Sequence, residues 1–142
     1  MSELVVRRLL IDLETPLPRH WCAGDAFRTA FFNALSMSFP VGEQFFIDAV
    51  RDTMATLPPE LQSERKDEVK GFIGQEATHR RVHALFNAHL EHQGLVDHWT
   101  PRAMSRMKLL DGADPRHALA ITAATEHFTA MFADWLLAHP KA

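Results

Sequence analysis

Tyrosine is absent from this chain and cysteine occurs once, at Cys22. A lone cysteine excludes an internal disulfide and a thiolate cluster, so any metal would rely on nitrogen and oxygen donors. Without tyrosine, no tyrosyl radical can serve redox chemistry. No basic run is long enough to track phosphates and the formal net charge is −3 with histidine neutral, so nucleic acid is not an expected partner. No apolar window approaches a membrane span, which removes the membrane as a partner. The N-terminal run from Met1 to Arg8 lacks the order of charged, apolar and small residues of a signal peptide, and the expected location is cytoplasmic. No stretch alternates convincingly as a strand, and neither an internal repeat nor a low-complexity segment is visible.

What remains is an ordinary globular composition, 46% hydrophobic and 23% charged, in 142 residues. That length suits one domain with a core. The pattern predicts a single helical domain over 1–142, with an extended arm at 1–24 and a helical body at 25–142. Val5 to Leu13 is apolar without a clean period, and Pro16 and Pro18 hold the chain extended. Asp25 is placed to cap a helix whose apolar positions Phe27, Ala30, Phe31, Ala34 and Leu35 repeat at helical spacing. Pro40 either interrupts that helix or kinks it, with helix continuing toward Leu57 before Pro58-Pro59. A long helix is expected from about Ser63 to His92, capped by Gly94. Thr100-Pro101 and Asp114-Pro115 each read as an N-cap followed by the first helical residue. The last helix is expected to turn Ile121, Thr125, Phe128, Met131, Phe132 and Trp135 toward the core and to be closed by Pro140. The class is all-α.

Chemistry concentrates in Gly74-Gln75-Glu76-Ala77-Thr78-His79-Arg80-Arg81-Val82-His83. At helical pitch Glu76, His79 and His83 fall within an arc of roughly 60°. Of the nine histidines, His89, His92, His98, His117 and His139 lie near helix ends or loops, where solvated or capping roles are expected; His79 and His83 do not. Glu43 has Phe39, Phe46, Ile47 and Val50 as helical neighbours, and Glu126 has Thr122, Ala123, Thr129 and Ala130. An unpaired carboxylate on an apolar face costs several kcal/mol unless something neutralises it, and a cation would do so. Small residues around Glu126 leave space for an ion, waters or a ligand.

Each residue also has a plainer reading. Glu43 suits the positive end of a helix that starts near Pro40. Glu76 and His79 suit a hydrogen-bonded pair on a solvated face. Glu126 suits a structural Glu-His-Arg network with Arg80, Arg81 or Arg28. Taken together, Glu, then Glu-x-x-His, then Glu on successive helices match three of the four contributions to carboxylate-bridged two-metal sites in ferritin-like bundles.

Arg19-His20-Trp21, Ser38-Phe39-Pro40-Val41-Gly42-Glu43-Gln44-Phe45-Phe46, Gly74 to His79, and Thr125-Glu126-His127-Phe128-Thr129 together resemble a bacterial family called predicted metal-dependent hydrolase. The resemblance spans nearly the whole chain. It implies a ferritin-like helical bundle with Glu43, Glu76, His79 and Glu126 at the matching ligand positions. Members of that family are typically longer, and a Trp-His…Glu-Glu-x-Glu-His motif in their second half resembles the fourth contribution. On that reading this chain corresponds to the N-terminal half and is an incomplete bundle.

The expected function is therefore metal-dependent hydrolysis of a small-molecule substrate. One or two divalent cations, iron, zinc or manganese, would be held by Glu43, Glu76, His79, His83 and Glu126, with Glu126 also the catalytic base. A di-iron oxidase or oxygenase is the alternative from another reaction class, and a non-enzymatic helical fragment with a structural Glu-His network is the third. A homodimer is the arrangement by which a second copy could complete the ligand set.

Overall fold

A proline in mid-helix removes one intrahelical hydrogen bond, and this chain accommodates that loss rather than breaking. The computed structural model describes residues 11–139; residues 1–10 of the expected arm, and Pro140 as the closing residue of the last helix, lie outside the described residues. Helix α1 runs from Ala26 to Ala55 with Pro40 inside it, so the interruption considered from sequence does not occur. Pro40 has no N–H for the Ser36 carbonyl, and Asn87 Nδ2 of the neighbouring helix donates to that oxygen at 3.2 Å. The partner that permits the helix to continue is thus far away in sequence.

Asp25 caps α1 as expected, its carboxylate accepting from Arg28 N at 2.9 Å. Helix α2 spans Pro59–His92 and begins four residues before the expected Ser63, because Pro59 occupies the first turn, where a missing N–H costs nothing. Gly94 follows at a φ of 83°, as the C-terminal position requires. Helix α3, Trp99–Met107, passes into a 3₁₀ turn at Lys108–Leu110. Its start is not capped by Thr100. Asp97 reaches both Trp99 N and Thr100 N, at 2.8 and 3.0 Å, and draws Thr100 into the helix. Helix α4, Pro115–Ala138, begins as expected with Asp114 accepting from Arg116 N.

The result is an all-α helical bundle with α1 as its hub: α1 packs most extensively on α2, then on α4, then on α3. There is no strand among the described residues, and no helix among them is long and apolar enough to cross a membrane. Along α1 the buried set is unusually polar, with Thr29, Asn33, Ser36, Glu43 and Thr53 beside Met37, Phe46, Ile47 and Ala49. Residues 11–24 lie against the bundle: His89 Nε2 bonds Leu13 O at 2.7 Å and Gln93 Nε2 donates to Leu17 O at 2.8 Å. Trp21 donates from Nε1 to Asn33 Oδ1 at 2.8 Å and meets Phe86 edge-on, with ring centroids 5.4 Å apart.

One expectation fails clearly. Ile121, Phe128, Met131 and Trp135 of α4 are exposed, Phe128 by 69%, and only Thr122 of that helix is buried. Their helical spacing marks a stripe, as the sequence shows, but the described helices cover little of it.

Candidate metal centre

Glu43 comes from the middle of α1 and Glu76 from the middle of α2, and the close packing of these helices turns both carboxylates into one interior space. Each is only 3% exposed. His79, one turn beyond Glu76, places Nδ1 3.6 Å from Glu76 Oε1, while its outer side is open to solvent. One donor atom from each of Glu43, Glu76 and His79 lies within 4.8 Å of the others, a group that could hold a metal ion.

His83, a further turn along, sits with Nε2 4.0 Å from Glu43 Oε1. Its ring stacks on Phe39 at a centroid distance of 4.5 Å, and its Nδ1 lies 2.9 Å from Ser36 Oγ. Glu126 of α4 lines the same cavity, and its charge acts on both Glu43 and Glu76. All five residues singled out from sequence therefore border one space of about 760 Å³.

The electrostatics of this space follow from burial. Glu43 is pushed from its ordinary 4.5 to about 8, first by loss of hydration, then by the charges of Glu76 and Glu126, with Arg80 opposing. Glu76 rises to about 7, by burial and then by Glu126. Burial alone raises Glu126. Burial lowers His79, and it takes His83 down to about 4 with a further push from His79. Carboxylates driven toward neutrality beside imidazoles that resist protonation form a site short of positive charge.

The hydrogen-bond inventory agrees. Thr29, Asn33, Ser36 and Thr53, the other buried polar side chains of α1, each bond to a protein group. Glu43 Oε2 is buried and has no hydrogen-bond partner. An orphaned carboxylate oxygen among acids and imidazoles is the arrangement a cation would satisfy, and hard oxygen and imidazole donors suit a divalent ion. The donor set therefore fits a metal on chemical grounds.

Gln75 Nε2 lies 2.6 Å from His79 Nε2, and Arg80, read from sequence as a counter-charge to Glu126, donates from Nη1 to Gln44 Oε1, holding the guanidinium over the α1–α2 seam. Other residues at the site were not anticipated. Trp99, Arg106, Met107 and Leu110 bring α3 and its 3₁₀ extension to the cavity. No helical period connects these residues to Glu76, so only the tertiary fold reveals them. Ser36 and Asn87 are not marked by the sequence either, since their contact joins two different helices. Compared with known proteins, residues 5–142 match a family model described as "predicted metal-dependent hydrolase". No curated protein and no solved structure matches the chain.

Proposed function

Because this chain belongs to the family of predicted metal-dependent hydrolases, we propose that it hydrolyses a small-molecule substrate at a divalent cation held by Glu43, Glu76 and His79, with His83 adding its Nε2. The observation that carries this reading is the partnerless Glu43 Oε2, buried beside a second carboxylate and an imidazole. A divalent cation in such a site supplies Lewis acidity toward both a water and the substrate's electrophilic group.

The chain's own residues do the rest. Glu126 is the general base: burial raises its pKa toward the working range of a proton acceptor, and it faces the same space from a separate helix. To hold the ion Glu43 and Glu76 would give up their protons, which would couple occupancy to pH. Phe39, Phe45, Phe46, Trp99 and Ile121 line the cavity and receive the apolar part of a substrate. A ferritin-like arrangement and a cytoplasmic setting are part of the same proposal, and a second copy of the chain is its candidate partner.

The test is elemental analysis of protein purified without chelator, repeated on Glu76→Ala and His79→Ala. Zinc or manganese in the parent and not in the variants, with ester or phosphoester turnover lost in Glu126→Gln, is the expected result. Iron with a dioxygen-sensitive visible spectrum would replace hydrolysis by the oxidase reading. Absence of transition metal, with a melting temperature indifferent to added metal, would leave a structural Glu-His network.

A further inference from the structure

The Pro40 gap determines more than the course of α1. Where a helical N–H would serve the Ser36 carbonyl, Asn87 Nδ2 donates to it at 3.2 Å. A carbonyl only accepts, so this contact fixes which end of the Asn87 amide is the NH₂. Asn87 Oδ1 then faces Ser36 Oγ at 2.8 Å and must accept the hydroxyl proton. The Ser36 hydroxyl has one proton, and it is committed. Toward His83 Nδ1, 2.9 Å away, the same oxygen can only accept, so the neutral imidazole carries its proton on Nδ1. Its other nitrogen, Nε2, is left with a lone pair on the side where Glu43 Oε1 lies 4.0 Å away.

We propose that Ser36 and Asn87 are positioning residues that lock His83 in the Nδ1–H tautomer and so turn the Nε2 lone pair, as a metal-ligating atom, toward the space beside Glu43. The inference extends the metal reading above and rests on it only for the use made of Nε2. It follows from five atoms whose donor and acceptor roles are forced in sequence, starting at a proline. Stacking on Phe39 fixes the plane of the ring, and the Ser36 contact fixes its rotation within that plane. Ligating imidazoles are commonly held in this way through their second nitrogen, and losing such a partner typically lowers metal affinity about 10–100-fold.

Long-range ¹H–¹⁵N correlation spectra of ¹⁵N-histidine-labelled, metal-free protein, at a pH where imidazoles are neutral, read the tautomer directly, with His83→Gln supplying the assignment. His83 should carry its proton on Nδ1 in the parent. Ser36→Ala and Asn87→Ala should admit the Nε2–H form, whereas Ser36→Thr, which keeps the hydroxyl, and Asn87→Asp, which keeps the acceptor for it, should not. Asn87→Asp also loses the donor to the Ser36 carbonyl, so it should melt lower with the tautomer intact and separate helix support from tautomer control. In Zn²⁺ titrations Ser36→Ala should bind about 10–100-fold more weakly than the parent, with Ser36→Thr restoring affinity. A parent His83 protonated on Nε2, or a tautomer unchanged in Ser36→Ala, overturns the proposal. A parent with the expected tautomer whose His83 Nε2 resonance ignores saturating Zn²⁺ upholds the lock and removes His83 from the metal reading.

Discussion

Along the seam between α1 and α2, polar side chains are buried and paired, whereas along the outer face of α4 large apolar side chains stand in solvent. In the seam, Ser36 and Asn87 exchange two hydrogen bonds, and Trp21 reaches Asn33. On α4, Phe128, Met131 and Trp135 are all exposed. Buried, satisfied polar contacts constrain register because a slip would leave donors and acceptors unpaired. An exposed apolar stripe constrains nothing until something covers it. Two of the three acids, Glu43 and Glu76, thus stand on the helix pair with the most extensive packing, and the third, Glu126, stands on a helix that packs less extensively on α1.

The sharpest way to break that comparison is to cut into the seam's apolar support. Leu90 is the one large side chain fully buried among the described residues. Leu90→Ala should cost about 2–5 kcal/mol in urea denaturation, through lost transfer energy and the cavity left behind. A cost below about 1 kcal/mol would mean that the stability of the chain resides elsewhere.

Glu43→Gln probes a place where the seam's pairing fails. In metal-free protein at alkaline pH the substitution should stabilise by about 1–3 kcal/mol, because it removes an unpartnered buried charge. It should also abolish the rise in melting temperature on adding Mn²⁺ or Zn²⁺. Below about pH 4.5 the ionisation difference should vanish, since both residues are then neutral. A Glu43→Gln protein less stable than the parent at every pH would show that the carboxylate has a partner in the fold.

The pH dependence of the metal-free parent follows from the same groups. Glu43 and Glu76 have folded pKa values above their ordinary 4.5, at about 8 and about 7. Their contribution to stability is complete below 4.5 and is lost as pH rises through 7 and 8. His83 behaves oppositely: lowered from 6.5 to about 4, its contribution is complete above 6.5 and is lost as pH falls through 4. Melting temperature without metal should therefore decline on both sides of mildly acidic pH, while protection by metal should grow from pH 6.5 to 8 as the carboxylates ionise. A flat profile across that window would remove the electrostatic frustration assigned to the cluster.

The parts of this fold legible in sequence were those decided within a few residues. Asp25, Asp114 and Gly94 mark helix ends through contacts with their own neighbours. Glu76, His79 and His83 share a face because helical pitch alone puts them there. Even the inward turn of Glu43 could be read from the phenylalanines around it. The continuity of α1 could not, since the group that compensates Pro40 is Asn87, on another helix. The tautomer of His83 was hidden for the same reason. Thr100 misled because Asp97, three residues earlier, is the stronger acceptor for the first turn of α3.

The stripe on α4 was legible as a stripe and misleading as a core, because periodicity reports which residues share a face and not whether a neighbour covers it. Phe128 is the residue to test, at 69% exposure and on the outer face. Phe128→Glu should change stability by no more than about 0.5 kcal/mol in dilute protein, where a buried phenylalanine would cost about 3–5 kcal/mol when cut to alanine. The same variant measured by sedimentation at rising concentration asks what the stripe is for. If a second copy covers it, the parent should associate and Phe128→Glu should stay monomeric. A large loss of stability in the dilute variant would instead place Phe128 inside a core, and the contrast between the two faces of the molecule would disappear.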